Sequence, residues 1–323
     1  MASLKEIKTR IASVNSTRKI TSAMKMVASS KLHRAQVAIQ NMLPYENMLE
    51  HILKSFLVST PEATSRFQRA HSETKCVALV VYSSNSSLCG GFNANVLKML
   101  DQIVAEYQAQ GINDFLIYPI GRKVAERVQK RGWKAAGSFV ELADKPNARG
   151  CAQIAEELTR KYILKEIDKV ELVYHHFKSA GSQILTRRTF LPIDLSTEKI
   201  GAMNDRDLTS NVTTAKAQEY LRKRDQQRKR VVEEVVPLND NFIVEPDLQS
   251  VLLSLVPKLL NLMVYTALLD SNASEHAARM VAMQTATDNA DELLRVLKLQ
   301  YNKSRQAAIT SELLDIVGGT VNN

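Results

Sequence analysis

Apolar residues recur at alternating steps of three and four along the first part of the chain: Leu4, Ile7, Ile11 and Val14, then Ala28, Leu32, Ala35, Ile39, Met42, Leu49, Leu53 and Phe56. In the gap, the same register meets Arg18, Thr21 and Lys25, and Glu46 interrupts it once more. A sustained spacing of about 3.5 residues marks a coiled-coil seam rather than a helix lying on a globular core. The pattern predicts one helix over residues 4–56, on the order of 75 Å long at about 1.5 Å per residue. Pro44 should kink it or mark a weakened turn. That length exceeds the width of a compact domain, so much of the helix needs a partner outside it. From residue 252 the same alternation picks out Leu255, Leu259, Leu262, Thr266, Leu269, Ala273, His276, Met280, Met283, Thr287, Ala290, Leu294, Leu297, Tyr301, Ser304 and Ala308. Pro257 interrupts near its start, and Gly318-Gly319 is expected to end it. An antiparallel pair of the two terminal helices is the simplest way to bury both seams.

Between them the period changes. "CVALVVYSS" (76–84) and "DFLIYPIG" (114–121) have strand length and composition, and each is followed by a helical pattern, at 92–111 and 122–132. A weak strand is expected in "WKAAGSFVE" (133–141), a helix over 151–168, and a hairpin from "KVELVYHHFKS" and "SQILTRRTFLPI" turning at Gly181. Strands alternating with helices predict a small, partly parallel sheet with helices on its faces. The fold class is therefore α/β with long terminal helices: an antiparallel coiled coil of the N- and C-terminal helices plus a small Rossmann-like α/β domain. The expected organisation is an N-terminal shaft helix (1–58), an α/β foot domain (75–193), a polar insertion (194–236) and a C-terminal shaft helix (245–323) that pairs with the first.

Charge sharpens this picture. The 323 residues hold 43 Lys and Arg against 34 Asp and Glu, a formal net charge of +9. The excess is concentrated at the start, where Lys5, Lys8, Arg10, Arg18, Lys19, Lys25, Lys31 and Arg34 face only Glu6. A solvated helix face usually mixes signs, so the bland reading of a solvent face competes with a helix surrounded by an acidic partner. Nucleic acid is one candidate, with "YLRKRDQQRKR" (220–230) as a second patch, but no recognised binding module or aromatic stacking platform accompanies either. Three cysteines without CxxC spacing (Cys76, Cys89 and Cys151) indicate a reducing compartment and neither a disulfide framework nor a zinc site. The N-terminus has no continuous apolar core, so it is not a secretory signal, and no uninterrupted apolar stretch approaches the roughly 18 residues needed to span a bilayer.

Candidate chemistry is thin. "SSNSSLCGGFNANV" (83–96) follows a strand and opens a helix, as a phosphate-binding turn does, but it fits neither GxGxxG nor GxxxxGK[ST]. Cys89 near a helix N-terminus is a conceivable nucleophile, yet no His or acid stands beside it in sequence to act as a base. His175 and His176 should point to opposite faces of a strand, poor geometry for one metal, and a surface or interface position is expected for them. Met24, Met26, Met280 and Met283 are most often core gap-fillers at such spacing. Here their neighbours are too small to build a dense core, which suits smooth contact with something outside.

Three stretches carry a specific resemblance. "MASLKEIKTRIASVNSTRKITSAMKMVASSKLHRAQ" at the start, "LCGGFN" (88–93), and "SEHAARMVAMQTATDNADEL" (274–293) with "YNKSRQAAITSELLDIVGG" (301–319) resemble the γ subunits of F-type ATP synthases, in order and over nearly the whole chain. The resemblance implies a non-catalytic rotor. Paired terminal helices form a central shaft inside a ring of alternating α and β subunits, and the α/β domain docks with the ε subunit on the membrane c-ring. Proton-driven rotation then forces the catalytic sites of β through their states. It implies partners of α, β, ε and c-ring, no cofactor, no metal and no nucleic acid, and a peripheral position on the cytoplasmic face of the bacterial plasma membrane. Met24, Lys25 and Met26 fall in the region facing the acidic lever loops of β. Arg279, Gln306 and Thr310 fall where the C-terminal helix meets the β catch loops, and Cys89 with its glycine turn lies in the part of the foot close to ε. Two departures stand out. "SNSS" (84–87) replaces the family's usual Asp, basic residue and Gly before "LCGG". The insertion at 194–236 lacks the cysteine pair of chloroplast members, so thiol regulation is not implied; restraint of rotation in the hydrolysing direction is the expectation for it.

Overall fold

The computed structural model describes residues 4–59, 74–193, 244–245 and 247–321. The segment expected to be an insertion, 194–236, lies outside the described residues. The chain divides into two compact units, Met1–Ala28 with Arg279–Asn323, and Ser29–Ala278. Two long helices contribute to both: α1 (Leu4–Ser59) and α6 (Leu248–Val321).

In the Ser29–Ala278 unit, the elements between the long helices are β1 (Cys76–Tyr82), α2 (Phe92–Ala109), β2 (Asp114–Ile120), α3 (Arg122–Arg131), β3 (Lys134–Ala135), α4 (Val140–Asp144), α5 (Ala148–Ile163), β4 (Lys169–Ser179) and β5 (Ser182–Leu191). The sheet order is β3-β2-β1-β4-β5. The β1 strand lies parallel to both β2 and β4, β2 is parallel to β3, and β5 runs antiparallel to β4. A strand covered on both faces needs apolar side chains at every position, and "CVALVVY" supplies them without alternation. Val77, Leu79 and Val81 meet α2 and α3 on one face, through Val96, Leu100, Ile103, Val124 and Val128. Ala78, Val80 and Tyr82 belong to the opposite core, with Ile154 and Leu158 of α5, Leu49 and Leu53 of α1, and Leu252 to Leu268 of α6. Each large side chain buried this way contributes about 1.5–3 kcal/mol before entropy is counted. By length and composition α6 is apolar enough to cross a bilayer, but its Leu-rich first half is used in this core.

The expected strands and helices appear with shifted ends. The weak strand over 133–141 reduces to Lys134–Ala135, and Val140–Asp144 is helical instead. The helix expected over 151–168 is Ala148–Ile163; Asn147 caps it, its side-chain oxygen accepting from the Arg149 amide at 2.9 Å. Such a cap satisfies an amide with no partner inside the helix, and so fixes where the helix starts. Gly318-Gly319 does not end α6, which runs to Val321, and both Pro44 and Pro257 lie inside helices.

In the other unit, α1 and α6 are antiparallel. Arg18 Nη1 lies 3.1 Å from Asp291 Oδ1, and Thr21 and Thr287 share a hydrogen bond of 2.9 Å between their hydroxyls. Ile7, Thr21 and Ala28 are buried on α1, as are Met283, Ala290, Leu294 and Leu297 on α6. The polar gap in the sequence seam is thus partly a seam of another kind, with Arg18 and Thr21 joined to α6 by polar contacts.

Candidate functional site

The shaft residues singled out from sequence differ in exposure. Met24 and Lys25 are half-buried. Met26 is 66% exposed, with Ile20 and Val27 exposed beside it. These three side chains leave apolar surface open on a helix that already has a buried seam. On the partner helix Arg279 is half-buried, while Gln306 and Thr310 are exposed. The Thr310 hydroxyl donates to the Gln306 carbonyl at 2.9 Å, one helical turn back, so the two side chains share a face. Ile309, Leu313 and Leu314 add exposed apolar surface there. Lys5, Lys8, Arg10 and Lys19 are all exposed on α1. Exposed basic charge of this kind acts over long range without fixing one pair of groups.

The turn after β1 does structural work. The Ser84 amide donates to Asn93 Oδ1 at 3.1 Å, Asn93 Nδ2 donates to Ser84 Oγ at 2.8 Å, and the same nitrogen lies 3.1 Å from Cys89 Sγ. Asn85 reaches outward: its Nδ2 donates to the Val140 carbonyl at 2.8 Å, and its Oδ1 accepts from the Arg122 amide at 2.8 Å. Gly121, with φ of +101°, passes so close to Ser83 that an added Cβ would stand 2.2 Å from its carbonyl oxygen. Ser84, Asn85 and Asn93, which resembled a phosphate cradle, are therefore engaged with one another and with the first residues of α3 and α4. Cys89 is buried, and the turn exposes Leu88, Gly90 and Gly91 instead. Burial pushes the other thiols up, Cys76 to about 11, with Asp114 and Asp168 adding to the effect, and Cys151 to about 12; neither is a reactive thiolate. Among the described residues no three His, Cys, Asp or Glu side chains converge as metal ligands.

The histidine pair, expected at a surface or interface, lies in the interior of its unit. His175 and His176 do point to opposite faces, but both are buried. His175 stacks on Phe92 of α2 with ring centroids 4.3 Å apart, and His176 Nδ1 lies 3.0 Å from Asp270 Oδ2 on α6. Desolvation lowers the His175 pKa to about 4, which keeps the ring neutral at physiological pH. Sequence reasoning also missed Glu171, which is buried with three donors: Arg187 Nε at 2.7 Å, Tyr107 Oη at 2.6 Å and Lys169 Nζ at 2.9 Å. Burial alone would raise the Glu171 pKa, but these hydrogen bonds outweigh it and hold the carboxyl below its usual range. Period-two alternation in "KVELVYHH" was the available signal that Glu171 and His175 point the same way, towards α2.

Among the described residues the distinctive features are two long antiparallel helices with exposed basic and apolar side chains and a five-stranded α/β domain, which define a helical shaft protein carrying an α/β domain. Its likeness to known proteins is specific. The family model described as ATP synthase matches residues 3–321. The ATP synthase gamma chain of Phocaeicola vulgatus is 52% identical over 321 residues, covering 99% of this chain and 100% of the relative. The gamma chain of Bacteroides thetaiotaomicron is 50% identical, with the same coverage. Among solved structures, a chain of the Euglena gracilis mitochondrial ATP synthase (OSCP/F1/c-ring, rotational state 3) gives a TM-score of 0.58 at 17% identity, covering 98% of this chain and 93% of its own. One from the Tetrahymena thermophila mitochondrial ATP synthase central stalk/c-ring gives 0.53 at 23% identity, covering 83% and 99%; both support the fold. The chain belongs to the ATP synthase gamma chain family. It is a non-catalytic central-stalk rotor subunit of a peripheral membrane complex, and the nucleic-acid reading finds no support.

Proposed function

We propose that the chain turns inside a ring of alternating α and β subunits, with the unit made of Met1–Ala28 and Arg279–Asn323 as the part that the ring encloses. Met24, Lys25 and Met26 meet the acidic lever loops of β, and Arg279, Gln306 and Thr310 meet its catch loops. The α/β foot, spanning 75–193 between shaft segments 1–58 and 245–323, docks on the c-ring, with the turn around Cys89 towards ε. The complex sits on the cytoplasmic face of the bacterial plasma membrane. The observation that carries this reading is the exposure of Met26 together with Ile20 and Val27 on a basic helix whose own seam is already buried. Soluble proteins rarely leave such a surface without a partner.

The test is assembly. Mixing the purified chain with α and β subunits should give a stable complex with ATPase activity that the chain alone lacks. In that complex the amides around Met24–Met26 and Gln306–Thr310 should gain protection from hydrogen exchange. No co-assembly overturns the ring reading; assembly without protection at those segments overturns the residue assignment.

A further inference from the structure

Four polar contacts join one short stretch of α6 to the α/β elements of the same unit. The Tyr82 hydroxyl at the end of β1 donates to the Val264 carbonyl at 3.0 Å. His176 Nδ1 on β4 lies 3.0 Å from Asp270 Oδ2, and the Ser274 hydroxyl donates to the His175 carbonyl at 3.1 Å. From the other side Asn272 Nδ2 donates to the Ala143 carbonyl in α4 at 3.0 Å. Most of the α6 side chains from Leu252 to Leu268 that pack in this core are apolar. Apolar burial is non-directional, so it resists separation of two surfaces better than it resists one turning against the other. Hydrogen bonds depend steeply on angle and do resist such turning. At about 3.6 residues per turn, Asn272 and Ser274 project roughly 160° apart around the helix. The sheet and α4 therefore hold α6 from two nearly opposite sides.

The Asp270 carboxylate is 2% exposed, and taking a carboxylate out of water carries a large cost that its buried partners must offset. A buried pair of this kind is poorly explained as a source of stability and better explained as a device that fixes geometry. We propose that His176–Asp270, with Ser274 and Asn272 on either side, forms the clamp through which twist applied to the α/β domain enters α6. The idea rests on the rotor role of the chain and identifies the positioning residues for its torque. A helix gripped only by apolar contacts would yield by rotating in its bed; a helix bonded at opposite azimuths passes the twist along its own backbone, and α6 continues as one helix to Val321.

The experiment uses the assembled ATP synthase in inverted membrane vesicles, comparing ATP hydrolysis with ATP-driven proton pumping. His176→Ala should keep hydrolysis and lose proton pumping per ATP hydrolysed. His176→Asn, whose side-chain amide can still donate a hydrogen bond to Asp270, should recover it. Asn272→Ala, at a half-buried position that the fold tolerates better, should show the same loss in milder form. A merely structural role predicts a lower melting temperature with the pumping ratio unchanged, and that result in both alanine variants overturns the clamp. Failure of the parent chain to assemble would instead overturn the rotor reading, so the two failures are distinguishable.

Discussion

Replacing His175 by Phe should make the α/β unit more resistant to mild acid. The ring lies on Phe92 and is buried, and its pKa falls from 6.5 to about 4 through desolvation. Between those values the unfolded chain binds a proton that the folded chain refuses, so the native state is favoured at neutral pH and loses ground as pH falls from 6.5 towards 4. With these two values the linkage relation gives a loss of about 2 kcal/mol between pH 7 and pH 5 from this one residue. Glu171 and Glu157, both held below the usual carboxylate range, lose their contributions only below about pH 4.5. The window from pH 5 to 7 therefore isolates the imidazole from them. His175→Phe keeps an aromatic ring against Phe92 and removes the titration. The assay is urea unfolding followed by the fluorescence of Trp133, the single tryptophan, which packs against the core under α2 and α3. The parent should lose about 2 kcal/mol more than the variant between pH 7 and pH 5. Equal losses in both proteins would refute the reasoning.

Gly121→Ala should destabilise the unit by about 3 kcal/mol, since the new methyl meets the Ser83 backbone and the residue must hold a positive φ; thermal melting measures it. Glu171→Gln should cost about 3 kcal/mol at neutral pH by weakening the anchoring of Arg187 and Lys169, and it should flatten the stability profile below about pH 4.5, as acid titration would show. Asp291→Asn, by contrast, should change stability by less than about 1 kcal/mol, because its pair with Arg18 is largely exposed.

The hydrophobic periods along the chain specify most of this architecture. A 3.5-residue seam names its partner helix because both must be buried, and Val-rich runs such as 76–82 read as central strands because no polar face interrupts them. The ends of elements were less legible. Asn147 starts α5 three residues before the expected helix, a position set by one side-chain hydrogen bond rather than by any period. The shaft residues were named from family motifs alone, and the exposure of Met26 follows from where the buried seam of α1 runs. The roles of Asp270, His176 and Glu171 were hidden, because alternation tells which way a side chain points and not what covers it. Two segments far apart in sequence, around 176 and 270, had to be brought together before the pair existed at all.

Beyond Leu297, none of the described side chains of α6 up to Leu314 is buried, and Leu299, Ile309, Leu313 and Leu314 stand open to water. A helical end without an apolar face packed on anything is marginal in water. Unlike its first half, this stretch of α6 therefore draws little stability from packing within the chain, and Leu299, Ile309, Leu313 and Leu314 give it the character of a contact surface rather than of a core.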